Sequence, residues 1–139
     1  MKRLAFALLP LLVSCGTGAT RWTAASEVRD ACTRVSHLEV HLRGTVDRVL
    51  GIRRTRSGAH EGFVFDAELC AEGSTACSPT AVRVEDNVDI TGAIPLRSNE
   101  PIEVYGQYEC NDGVVHWTHR DPRGRHEAGY IVVDGRRYQ

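Results

Sequence analysis

The chain has 139 residues, enough for one domain with a real core, and a formal net charge of −1. Its only lysine, Lys2, lies in an export-like leader, so the part beyond that leader keeps 15 arginines against 18 acidic residues and a net charge of −3. That balance argues against a whole-domain polyanion binder, and nucleic acid is a disfavoured partner.

The leader comes first. Met1-Lys2-Arg3 is basic, Leu4 to Val13 is apolar apart from Pro10, and Leu12-Val13-Ser14-Cys15 follows. A basic start, a short apolar run and small residues at a cut mark an export signal. The run is too short to span a bilayer, which needs about 20 apolar residues. The tetrad is similar to the lipobox, which implies residues 1–14 as a lipoprotein signal peptide and acylation of Cys15. Two or more acyl chains hold a protein stably on a membrane. Gly16 rather than an aspartate after the cysteine resembles the outer-membrane sorting pattern, so a lipid-anchored protein facing the periplasm is expected. Residues 15–23 are read as a tether and residues 24–139 as a single domain.

Four cysteines remain: Cys32, Cys70, Cys77 and Cys110. An even number in an oxidising compartment reads as two disulfides, with three possible connectivities. Cys70 and Cys77 flank a turn-like loop between two predicted strands, which favours Cys70–Cys77 and leaves Cys32–Cys110. No C-x-x-C pair supports a metal site built on these cysteines.

Ala24, Val28, Ala31, Cys32 and Val35 recur at helical spacing, predicting a short amphipathic helix with Cys32 on its buried face. From His37 the period becomes two. Leu38, Val40, Leu42, Gly44, Val46, Leu50 and Ile52 share one parity and predict one long strand with that face buried, bent at Gly44. Arg53 to Glu61 reads as a basic loop, part of an arginine cluster with Arg43 and Arg48. Phe63, Phe65, Ala67 and Leu69 mark a second strand, Val82, Val84, Val88 and Ile90 a third, and Ile102, Val104, Gly106 and Tyr108 a fourth. Asn111-Asp112-Gly113 is a hairpin signal. Val114 to Trp117 and Tyr130 to Val133 supply further strand material. A mainly β fold follows: a small OB-like five-stranded barrel behind a short N-terminal helix, with an open sandwich as the alternative.

The densest chemistry lies between His116 and His126. Three of the six histidines fall there with Asp121 and three arginines. His116 and His119 converge only if the chain turns at Thr118, and Asp121-Pro122 with Gly124 makes a turn available. His116, His119, His126 and Asp121 are therefore expected in one pocket, with His60 and Asn87 facing it. Imidazoles suit a divalent metal, and imidazole with carboxylate suits acid–base work. The competing structural reading has these residues bracing a loop while Trp117 fills the core.

The same residues carry a resemblance. Gly106, Tyr108-Glu109, Gly113, Val115 to His119, Asp121-Pro122, Gly124-Arg125-His126, Gly129, Ile131, Gly135 and Tyr138-Gln139 resemble the tail of bacterial domain-of-unknown-function family 3465. His60 before Phe63, Asn87 to Ile90, and Pro95-Leu96 match as well, so the resemblance runs from about Arg43 to Gln139. It implies an OB-like barrel and no established activity. Two departures stand out: Cys110 in place of an aromatic residue, and a longer loop from Cys70 to Cys77. Both accord with added disulfides.

The expected function is a binding or accessory module of the cell envelope, its ligand unassigned. The alternative is a metal-dependent hydrolase, nuclease-like, built on His116, His119, Asp121 and His126. No H-E-x-x-H or G-x-S-x-G pattern supports the alternative.

Overall fold

The computed structural model describes residues 21–71 and 75–139. The leader, Cys15 and most of the tether lie outside the described residues. The element order is α1 (Ala25–Ala31), β1 (His37–Thr55), β2 (Gly58–Cys70), β3 (Cys77–Asn87), α2 (Val88–Thr91), β4 (Pro101–Glu109), β5 (Val114–His116), β6 (Tyr130–Val133) and β7 (Arg136–Tyr138).

The expected mainly β architecture is present, as a seven-stranded mixed sheet. Five strands form a ring: β1 pairs with β2, β2 with β3, β3 with β5, β5 with β4, and β4 returns to β1. The ring is uneven. β3 and β5 run parallel and share two residue pairs, Arg83 with Val114 and Val84 with Val115, whereas β1 and β4 are paired from His37–Glu109 to Thr45–Pro101. The outer edge of β4 is divided, with Gln107–Glu109 held by β5 and Ile102–Tyr105 by β6. β7 then adds to β6. The last strand, β7, carries no sequence signal beyond Tyr138, which is buried.

Alternation puts one face of each strand inside. Val40, Leu42, Val46, Phe63, Phe65, Ala67, Val82, Val84, Ile102, Val104, Val115, Ile131 and Val133 form one core. Removing such side chains from water is the main favourable term in folding. At Gly44 the strand passes from β4 to β2, pairing with both Ile102 and Ala67. A Cβ there would stand 2.0 Å from the Asp66 carbonyl oxygen, so the corner requires glycine.

Several expectations need correcting. Leu50 and Ile52 are exposed: register shifts between Val46 and Arg48 and between Val49 and Gly51 leave Leu50 unpaired, and Ile52 lies opposite Glu61 beyond the second shift. One extra residue in a strand turns everything beyond it, and a second restores the original parity. The expected basic loop is largely strand: Arg53–Thr55 pair with Gly58–His60, leaving only a tight turn. Its arginines are partly neutralised, Arg43 on Glu68, Arg48 on Asp47 and Arg53 on Glu85. Val88 and Ile90 belong to α2, not to a strand.

The N-terminal helix is shorter than expected and ends at Ala31. The Glu27 carboxylate accepts the Ala24 main-chain N–H at 2.7 Å and so satisfies its first turn. Val35 lies past the helix and is exposed. Both disulfides form as expected, Cys32–Cys110 and Cys70–Cys77. Cys70 and Cys77 are direct cross-strand partners at the end of β2 and the start of β3.

Candidate functional site

β5 leaves the ring at Trp117, whose φ of 55° lies in the left-handed region. A bulky side chain rarely adopts that conformation, and such outliers gather at functional sites. The turn throws the indole outward: Trp117 is 39% exposed, so it does not fill the core. The chain then loops from Thr118 to Gly129 and closes with the Gly129 N–H donating to the His119 carbonyl at 2.9 Å. A Cβ at Gly129 would sit 2.1 Å from the Trp117 carbonyl oxygen, so only glycine permits the closure.

Asp86 holds this loop from below. It is fully buried and lies at the end of β3, on the parity of Val82 and Val84. Thr118 donates to it at 2.7 Å, and Thr91 of α2 donates to its other oxygen. Burial pushes its carboxyl above the usual range, and the two hydroxyl donors oppose that shift. One buried carboxylate thus ties the histidine loop and α2 to the sheet.

All six residues expected to share a pocket line one cleft of about 760 Å³: His60, Asn87, His116, His119, Asp121 and His126. Trp117, Ser57, Asp112, Arg123 and Arg125 line it too. The rings of His119 and His126 stand edge to face at 5.0 Å, and Trp117 lies 4.4 Å from His126.

Three imidazoles share one arrangement. His119 Nδ1 meets the Arg120 carbonyl at 2.7 Å, His126 Nδ1 the Glu127 carbonyl at 2.7 Å, and His60 Nδ1 the Gly58 carbonyl at 3.2 Å. A carbonyl only accepts, so each Nδ1 carries the hydrogen. In the neutral ring the lone pair then sits on Nε2, which is how a backbone contact selects a tautomer. His116 is half-buried, and that burial lowers its pKa against the opposing pull of Glu109 and Glu85. It is therefore neutral at pH 7.

The carboxylates of the cleft have structural duties. Asp121 is drawn upward by desolvation, but the main-chain N–H groups of His126, Arg123 and Arg125 outweigh it and hold the group below its ordinary range. It organises the Asp121–His126 turn, accepting from His126 N at 2.7 Å and Arg123 N at 3.0 Å. Its oxygen stands 3.8 Å from His126 Nε2. Glu85 accepts from Arg53 at 2.8 Å and from Arg83 Nε at 2.9 Å. Asp89 accepts the Ala59 N–H at 2.9 Å. The Asn87 Oδ1 caps α2 through Asp89 N at 3.1 Å, which leaves its amide N–H groups for other partners.

Among the described residues no group of three His, Cys, Asp or Glu is placed to hold a metal ion. Residues that sequence reasoning missed are Asp86 and Thr118 beneath the loop and Trp117 as a cleft wall. The alternation Val82, Val84, Asp86 carries the signal for the first.

Fold and site define a mainly β, disulfide-bonded domain with a lateral cleft of imidazoles beside an outward-turned indole. The chain belongs to family DUF3465, described as "Protein of unknown function", whose model matches residues 13–139. No curated protein and no solved structure is similar enough to match. The two disulfides suggest an extracytoplasmic protein. No helix among the described residues is long and apolar enough to cross a membrane.

Proposed function

We propose that the chain is a lipid-anchored lipoprotein of the cell envelope, held through Cys15 on the outer membrane, and that it works as a binding module. The carrying observation is the cleft itself: three imidazoles pinned at Nδ1 and an outward indole around about 760 Å³, within the range of ligand pockets. Ring order supports an OB-like reading, in which the loops after the first and fourth strands flank the ligand face. Ser57 from the β1–β2 turn and Asp112 from the β4–β5 turn both line the cleft. The metal-dependent hydrolase has less support, because among the described residues no group of three His, Cys, Asp or Glu is placed to hold a metal ion.

Fragment mapping by NMR tests the binding reading. Small organic fragments should shift resonances of His60, His119, His126 and Trp117 together. Hits scattered over the surface, or none, would end it. The anchor is tested separately. Cys15→Ala should abolish incorporation of labelled palmitate and release the protein to the aqueous phase on detergent phase partition. Unchanged labelling and partition would remove the lipoprotein assignment.

A further inference from the structure

We propose that the cleft takes a carbohydrate, a short oligosaccharide whose one sugar face lies on Trp117 and whose hydroxyls meet the ring of imidazoles and amides. The inference rests on the reading of the cleft as a ligand site.

The first observation is the indole. Trp117 is turned out of the core by a left-handed backbone and is 39% exposed, with the His126 ring packed against one of its faces at 4.4 Å and the opposite face left for a ligand. A flat ring presented this way offers a negative π face. The C–H face of a pyranose is its natural complement, being apolar, weakly positive and nearly flat.

The second observation is the mixture of donors and acceptors. Nδ1 of His60, His119 and His126 is committed to main-chain carbonyls, so in the neutral form of each ring the acceptor is Nε2; the His119 and His126 side chains are largely buried in the cleft wall, and His126 Nε2 lies 3.8 Å from Asp121. Asn87 has its oxygen committed to α2 and so presents N–H donors. Arg123 and Arg125 add further donors to the lining. Acceptors and donors thus line the same cleft as the indole. A hydroxyl group donates and accepts at once, and a polyol presents many of them on a rigid ring. A purely anionic ligand would leave the Nε2 acceptors unmet and would face the carboxylates of Glu85, Asp89, Glu109, Asp112 and Asp121. An ammonium ligand would meet those carboxylates but would face Arg123 and Arg125 and leave the Asn87 N–H donors unmet.

The third observation is size. The cleft, lined by both Ser57 of the β1–β2 turn and Asp112 of the β4–β5 turn, encloses about 760 Å³, room for more than one sugar ring.

The test is titration of the full-length protein in detergent, read by NMR at Trp117, with glucose, maltotriose, cellotriose, tri-N-acetylchitotriose and AMP as probes. At least one trisaccharide should bind saturably, about tenfold tighter than glucose, with little change in affinity between low and high salt. Trp117→Asn suits the left-handed backbone, since asparagine tolerates it. This variant should remain folded and lose about tenfold or more in affinity, while Trp117→Phe retains most of it. The proposal is overturned if none of the trisaccharides binds, if Trp117→Asn binds as wild type, or if AMP binds tighter than every sugar with steep salt dependence. Fragments that map to the cleft while all sugars fail would overturn this inference alone and leave the binding module standing.

Discussion

Replacing Cys32 and Cys110 together with serine should lower the unfolding free energy by about 4 kcal/mol, the larger of the two disulfide effects. The bond joins residues 78 apart. On the chain-entropy account, closing a loop of that length in the unfolded state is worth about 4.5 kcal/mol. The same account gives the Cys70–Cys77 bond, across a separation of 7, about 2.5 kcal/mol. Urea unfolding of the two double variants checks the order. Equal losses, or a larger loss for the short loop, would mean that the long bond closes no entropic loop in the unfolded chain.

The second large effect is at Asp86. Asp86→Ala should cost about 2 kcal/mol at neutral pH, because the Thr118 hydroxyl is fully buried and has Asp86 as its acceptor. Thr91 has other acceptors, the carbonyls of Asn87 and Gly92, and contributes less. The pH dependence has a definite sign. Burial raises the folded pKa of Asp86 above the unfolded value of about 3.9. A raised carboxyl contributes stability that is fully present below the unfolded pKa and lost as pH rises through the folded one. Asp86→Asn should remove that slope above about pH 4, when its unfolding free energy is compared with wild type across the pH range. A slope identical to wild type would show that Asp86 does not titrate differently on folding. Since Thr118 sits between Trp117 and His119, Asp86→Ala should also perturb both their resonances.

Much of the fold is legible along the chain. Strand alternation identifies Phe63, Phe65 and Ala67, or Ile102 and Val104, as inward residues, because a half-buried strand repeats every two positions. The same rule fails at Leu50, which falls unpaired at a register shift that nothing in the residues announces, and at Ile52, which is exposed near the end of β1. It fails again at Val88 and Ile90, where Asn87 caps a helix of four residues that the strand pattern conceals. Both disulfide pairings follow from chain order and loop length. For the site, clustered histidines beside Asp121-Pro122 and Gly124 are a local signal, and the cleft they line was legible from it. Asp86 was obscured for a different reason. A lone carboxylate on an inward parity reads as a strand end until its two hydroxyl partners, Thr91 and Thr118, are brought together by the fold.

The Cys32–Cys110 bond has a mechanical meaning. A pull on the chain ahead of Ala25 first meets weak contacts: the Thr23 N–H on the His41 carbonyl at 2.9 Å, then one short helix. These peel one after another, and the peeling stops at Cys32. Beyond it the load divides between the start of β1 and, through sulfur, the end of β4. Those two ends are neighbours, His37 beside Glu109, so both strands are drawn lengthwise in the same direction. Tension then pulls on the two strands as a unit instead of sliding one along the other. The bond makes residues 21–31 a sacrificial leash and brings the load in at the end of β4, beside Glu109 and Asp112 of the cleft.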